Sequence, residues 1–152
     1  MTSIDPIVER NEKVVREFIR GWETRNLALV MAQVTDDMCY LNQPLEAVRG
    51  RENVAKMIGS IIAPAKKVEF KLLNLFGSGN KVLTERLDCW DWDGNGFTLK
   101  LPVCGMFELN EAGKIYEWRD YYDNEHWTKY GGPTLSSGPM LHDRERRLRR
   151  SQ

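Results

Sequence analysis

Apolar residues recur every three or four positions through the first part of the chain. Ile7, Val14, Val15, Phe18, Ile19 and Trp22 mark one face of an amphipathic helix from Pro6 to about Thr24. Asp5 supplies an N-cap carboxylate, and a proline in the first turn loses no intrahelical hydrogen bond. Asn26 caps a second, shorter helix with Leu27, Val30, Met31 and Val34 on its apolar side. Thr35-Asp36-Asp37 then turns the chain into a short strand over 38–42, which puts Met38, Tyr40 and Asn42 on one face. Pro44 ends that strand, because proline has no N–H for a ladder. Residues 45–50 read as a connecting loop. A third helix over 51–62 buries Val54, Met57, Ile58, Ile61 and Ile62 and stops before Pro64.

The pattern then changes from helix to sheet. Strands are predicted over 68–76, 81–92, 97–109 and 114–122, joined by turns at 77–80, 93–96 and 110–113 that are rich in Gly, Asn and Asp. The apolar phase slips at Leu72-Leu73, which predicts a bulge. Gly94 and Gly96 belong to a hairpin turn, since no helix follows to make a phosphate cradle. A helical turn through His126 and Trp127 closes the patterned region. The expected organisation is one domain over 1–130 and a Gly/Pro/Ser-rich, Arg-rich tail over 131–152. Three helices and a long meander make an α+β fold, in which a cone-shaped, curved antiparallel sheet packs against the three N-terminal helices.

Composition narrows the functional classes. Lys plus Arg and Asp plus Glu each number 22, so net charge favours neither nucleic acid nor an anionic membrane. The run 142–150 departs from this with five arginines and two acids, and reads as a solvated end. Cys39, Cys89 and Cys104 sit in apolar or aromatic runs, as reduced core thiols do. With two distant histidines and no paired cysteines, no metal site is expected. No basic-then-apolar leader or membrane-length apolar run is present, so the expectation is a soluble, cytoplasmic protein.

The candidate chemistry lies in the sheet. Period-two alternation puts Thr84, Arg86, Asp88 and Trp90 on one face of their strand, and Tyr116, Trp118, Asp120 and Tyr122 on one face of theirs. If the faces meet, an arginine lies between two carboxylates inside an aromatic wall. Burying charge is costly, which argues for chemistry as much as for architecture, although a structural ion network has the same residues. His126, Glu108 and Asp123 read as surface or solvated groups.

Arg86-x-Asp88 on one strand and Trp118-Arg119-Asp120-Tyr121 on a later one, with Tyr40-x-Asn42 upstream, resemble the limonene-1,2-epoxide hydrolase family. The order of elements is similar to the wider nuclear-transport-factor-2-like (NTF2-like) fold, which ketosteroid isomerase, scytalone dehydratase and polyketide cyclases share. The resemblance covers about 14–123. It implies one-step hydrolysis with no metal, cofactor or covalent intermediate. Asp120 would be the general base, Tyr40 and Asn42 would hold the water, Asp88 would be the general acid, and Arg86 would bridge the carboxylates.

Met38, Trp90, Leu101, Val103 and Trp118 are the expected substrate-binding residues, with Trp92 on the face of Trp90. So many rings make a narrower, more aromatic pocket than a monoterpene requires. The alternatives on the same scaffold are an isomerase, dehydratase or cyclase, and a non-catalytic binder of a small hydrophobic ligand. The expected partners are an epoxide, water and, as relatives commonly pair through the sheet, a second copy of the chain; nucleic acid and membrane are not.

Overall fold

The computed structural model describes residues 5–135; the arginine run lies outside the described residues. The first helix, α1 (Pro6–Glu23), is capped as its sequence demands: the Asp5 side chain accepts from the Ile7 N–H at 2.8 Å. Asn26 likewise caps α2 (Leu27–Met31) through the Leu29 N–H. Strand β1 (Val34–Gln43), the two-residue β2 (Val48–Arg49), α3 (Arg51–Ile62), β3 (Lys67–Ser78), β4 (Lys81–Asp91), β5 (Leu99–Leu109), β6 (Ile115–Tyr121) and α4 (Asn124–Lys129) complete the order. The strands form one curved, six-stranded open sheet in the order β2-β1-β6-β5-β4-β3.

The α+β class and the β3–β6 meander are as expected, and the β3–β4 register slips between Leu72 and Asn74, where the apolar phase predicted a bulge. Four features differ. Val34 opens β1 rather than closing the second helix, and residues 35–37 are extended instead of turned. Asp36 and Asp37 are exposed, so a polar stretch of strand imitates a turn. The loop over 45–50 contains β2, paired with Cys39 and Tyr40 of β1. The sheet is mixed, because β1 runs parallel to β6; a tight turn forces antiparallel pairing only on consecutive strands. Cys104 faces outward and is exposed, whereas Cys39 and Cys89 are buried.

The concave face holds the core. α1 lies across β3 and β4 with Val15, Phe18, Ile19 and Trp22 buried against the sheet. Its carboxylates also serve the edge strand: Glu23 accepts from the Phe70 N–H and Glu12 from the Gly77 N–H. These bonds occupy donors that an exposed strand edge would leave open. They also fix α1 along β3, which sets Trp22 against the rings of Phe70 and Trp90. Rings then interlock, with Phe18 edge-on to Trp118 at 4.8 Å and Trp22 edge-on to Trp118 at 5.7 Å. Among the described residues no helix is long and apolar enough to cross a membrane.

Candidate active site

β4 and β6 are not neighbours; β5 lies between them. Arg86 bridges that gap. Its Nε and Nη2 donate to Asp88 Oδ1 and Oδ2, each at 3.0 Å, and Nη2 also donates to Asp120 Oδ2 at 3.0 Å. Nη1 donates to Thr84 Oγ1 at 3.1 Å. Trp118 Nε1 donates to the other Asp120 oxygen at 2.7 Å. The crossing requires a bare position on β5, which Gly105 provides opposite both Thr84 and Asp120. A methyl group there would lie 2.5 Å from Arg86 Nη1 and 2.7 Å from Asp120 Oδ1.

The parallel β1–β6 pairing brings the third strand in. Tyr40 lies beside Trp118 and Asn42 beside Asp120. The Tyr40 ring stacks on Trp118 at 4.1 Å, and its hydroxyl donates to Asn42 Oδ1 at 2.8 Å. That bond aims the Asn42 amide, whose Nδ2 has no hydrogen-bond partner among the described residues.

Burial governs the protonation of the site. It pushes the Asp120 carboxyl up to about 6, with the Asp88 charge adding and Arg86 and Trp118 opposing. Burial raises Asp88 as well, against the pull of Arg86. The same desolvation, joined by the Asp120 charge, keeps Tyr40 protonated as a donor. Burial works against the Arg86 cation, but the two carboxylates outweigh it and hold it charged.

A narrow cavity opens on this cluster. Its volume is about 30 Å³. Tyr40, Asn42, Asp88, Asp120, Trp90, Leu101, Val103 and Trp118 line it. Arg86 stands behind the carboxylates rather than in the wall. Met38 does not line the cavity; it is fully buried core. It shares a face with Tyr40 but lies two residues, roughly 7 Å, further down the strand.

Sequence reasoning missed Trp22, Ile61, Phe70, Trp127 and Leu135 in the wall, and placed Tyr122 on a strand face without a role. Trp22 and Ile61 sit in apolar helix stripes that look the same whether they face core or cavity. Leu135 comes from the stretch assigned to the tail, and nothing in its sequence marks it; Trp127 Nε1 donates to Pro133 O at 2.9 Å and holds that segment close. Tyr116 leaves the predicted face, because a bulge opposite Glu108 turns its hydroxyl to Glu108 on the convex side. Glu108 is accordingly enclosed by Lys81, Tyr116 and Arg119 rather than solvated. Asp123 is the N-cap of α4. Among the described residues, no three His, Cys, Asp or Glu side chains gather to hold a metal ion.

The fold and the site together define a curled-sheet container with a buried Asp–Arg–Asp unit at the base of its cavity. The family model for the limonene-1,2-epoxide hydrolase catalytic domain matches residues 9–130, and the chain belongs to that family. It is similar to the epoxide hydrolase EphG of Mycobacterium tuberculosis strain H37Rv, with 29% identity over 109 residues that cover 72% of this chain and 70% of that protein. A solved LEH-like epoxide hydrolase structure from M. tuberculosis matches with a TM-score of 0.69 and 28% identity, over 82% of this chain and 91% of that one. An NTF2-like protein of unknown function from Cytophaga hutchinsonii shares the fold, with a TM-score of 0.60 and 17% identity over 82% of this chain and 95% of that one.

Proposed function

We propose that this protein hydrolyses a small cyclic or apolar epoxide to a vicinal diol in a single step. The observation that carries the reading is the pairing of Asn42 with Asp120 across β1 and β6, with Asp88 in the same cavity. A water there accepts from Asn42 Nδ2 and donates to Asp120. Tyr40 acts through Asn42, by holding its amide in the orientation that presents the N–H.

In the reaction, Asp120 takes a proton from the water as its oxygen bonds to one epoxide carbon. The ring C–O bond breaks with its electron pair on oxygen, and Asp88 protonates that oxygen. The diol leaves with Asp120 protonated and Asp88 ionised, so one proton must return between them. Arg86 contacts both carboxylates and stabilises the charge on either, which keeps the two states close in energy. A carboxyl pushed up to about 6 is ionised at neutral pH and is a stronger base than an ordinary aspartate. The aromatic wall favours slim substrates over a monoterpene. For the convex face, which exposes Leu73, Phe76, Leu83 and Tyr121, we propose a second copy of the chain as partner.

The test is turnover of a panel of cyclic and aryl epoxides in oxygen-18 water with excess chelator. Labelled diol, lost in folded Asp120→Asn and Asp88→Asn variants, is the expected result. A panel that stays intact, or diol formation unaffected by either variant, overturns the reading.

A further inference from the structure

The cavity has two tiers. At its base lie Asp88 on β4 and Asp120 on β6. Two residues further along β4 stands Trp90, and two residues beyond Asp120, just past the end of β6, stands Tyr122, both in the cavity wall. Two residues of strand span roughly 7 Å, about the width of a small ring.

The upper tier carries hydrogen-bond donors that no described residue accepts from. The Trp90 Nε1 and the Tyr122 hydroxyl are buried, and neither has a hydrogen-bond partner among the described residues. Trp22 Nε1, in the same wall, is in the same position. Other indoles of this wall show that the fold can satisfy such groups: Trp118 donates to Asp120, and Trp127 to the Pro133 carbonyl. A buried donor left unpaired is costly, and three of them on residues that line one cavity are satisfied by an acceptor brought from outside. Edge-to-face ring contacts, such as that of Trp90 with Trp127, replace a hydrogen bond only weakly. An indole N–H donates and never accepts, which settles the polarity required of the ligand. Burial and the nearby Asp120 charge hold the Tyr122 phenol in its protonated, donating form.

We infer that the substrate is an oxygenated epoxide: a slim cyclic molecule with a carbonyl or ether oxygen across the ring from the epoxide, accepting from Tyr122 and Trp90 while the epoxide lies on Asp88 and Asp120. This specificity rests on the hydrolase reading above. A hydrocarbon epoxide of the same shape leaves the upper donors unpaired.

Cyclohexene oxide and 3,4-epoxytetrahydropyran test it, since they differ by one CH2-to-oxygen exchange that adds an acceptor and no donor. The ratio of their kcat/KM values is compared between the wild type and Tyr122→Phe, so that intrinsic reactivity cancels; Trp90→Phe serves as the second variant. The wild type is expected to favour the ether by about tenfold more than either variant does. A turnover-free readout accompanies it: quenching of tryptophan fluorescence by cyclohexanone against methylenecyclohexane, with tighter binding of the ketone expected in the wild type alone. Equal ratios in wild type and variants, with both epoxides hydrolysed, overturn the oxygenated substrate and leave the hydrolase standing. Neither epoxide hydrolysed, with the ketone preference intact, overturns the hydrolase and upholds the acceptor site. No preference in either readout overturns the inference.

Discussion

The Arg86 guanidinium spans the whole width of β5 to reach Asp120, 3.0 Å away on the strand beyond. It passes over Gly105, whose missing side chain is the gap it uses. A buried cation is thus shared by two carboxylates that a continuous layer of side chains would have kept apart.

Gly105→Ala tests that geometry. The added methyl group has no room beside Arg86 Nη1, Asp120 Oδ1 and Thr84 Oγ1. Overpacking of this kind costs about 1–3 kcal/mol, and displaced catalytic groups lose roughly 100-fold in rate. Urea unfolding and steady-state turnover check it. A variant with normal stability and normal activity would show that the crossing matters to neither.

Arg86→Met removes the charge that holds both carboxyls down. Their pKa values then rise further in the folded protein, so the fold binds protons that the unfolded chain releases. Stability is therefore fully kept only below the unfolded carboxylate value near 3.8 and is lost as pH rises from there through the raised folded values. The expected deficit at pH 8 is about 3–5 kcal/mol, as for other broken buried pairs, with a much smaller one at pH 5. An equal deficit at both pH values, measured by denaturant unfolding, would refute the electrostatic account.

Asp120→Asn is expected to trade activity for stability. Folding raises this carboxyl from 3.8 to about 6. Its contribution is full below the unfolded value, declines between about 4 and 6, and stays lost above. Relative to the wild type, the amide variant gains on the order of 2 kcal/mol on going from pH 4 to pH 8. Turnover falls by about 100- to 10,000-fold, the usual contribution of a general base. Thermal melts at the two pH values and epoxide turnover read both effects.

The pH–rate profile follows from the same residue. Below pH 6 Asp120 is protonated and cannot take a proton from water, so kcat/KM falls about tenfold per pH unit. An acid limb near 4, where an ordinary aspartate titrates, would exclude Asp120 as the base.

Leu83→Glu and Phe76→Glu place charges on the exposed convex face without touching the cavity. Light scattering after size exclusion is expected to give a dimer for the wild type and a monomer for the double variant. A monomeric wild type at micromolar concentration would refute the pairing.

Local pattern carried far in this chain. Asp5-Pro6 marks the start of α1, and the apolar slip at Leu72-Leu73 marks the bulge in β3. Alternation alone put Arg86, Asp88 and Asp120 on inward faces. It failed where neighbours come from distant sequence. Nothing near Asn42 says that it lies beside Asp120, or that their strands run parallel. Gly105 looks like a weak point in a strand until Arg86 is seen above it, and Met38 has the right face at the wrong height.

Residue type and spacing by themselves determined the N-terminal helices, the β3–β6 meander and the shared inward face of Arg86 and Asp88. Those properties depend on backbone periodicity and capping, which act over a few residues. Tertiary structure alone decided which inward residues meet: the Asp–Arg–Asp bridge over Gly105, the Tyr40–Asn42 pair beside Asp120, and the unpaired donors of Trp90 and Tyr122 above them. Those are matters of register and strand order, set by packing the whole curved sheet around one core, and no short stretch of chain contains that information.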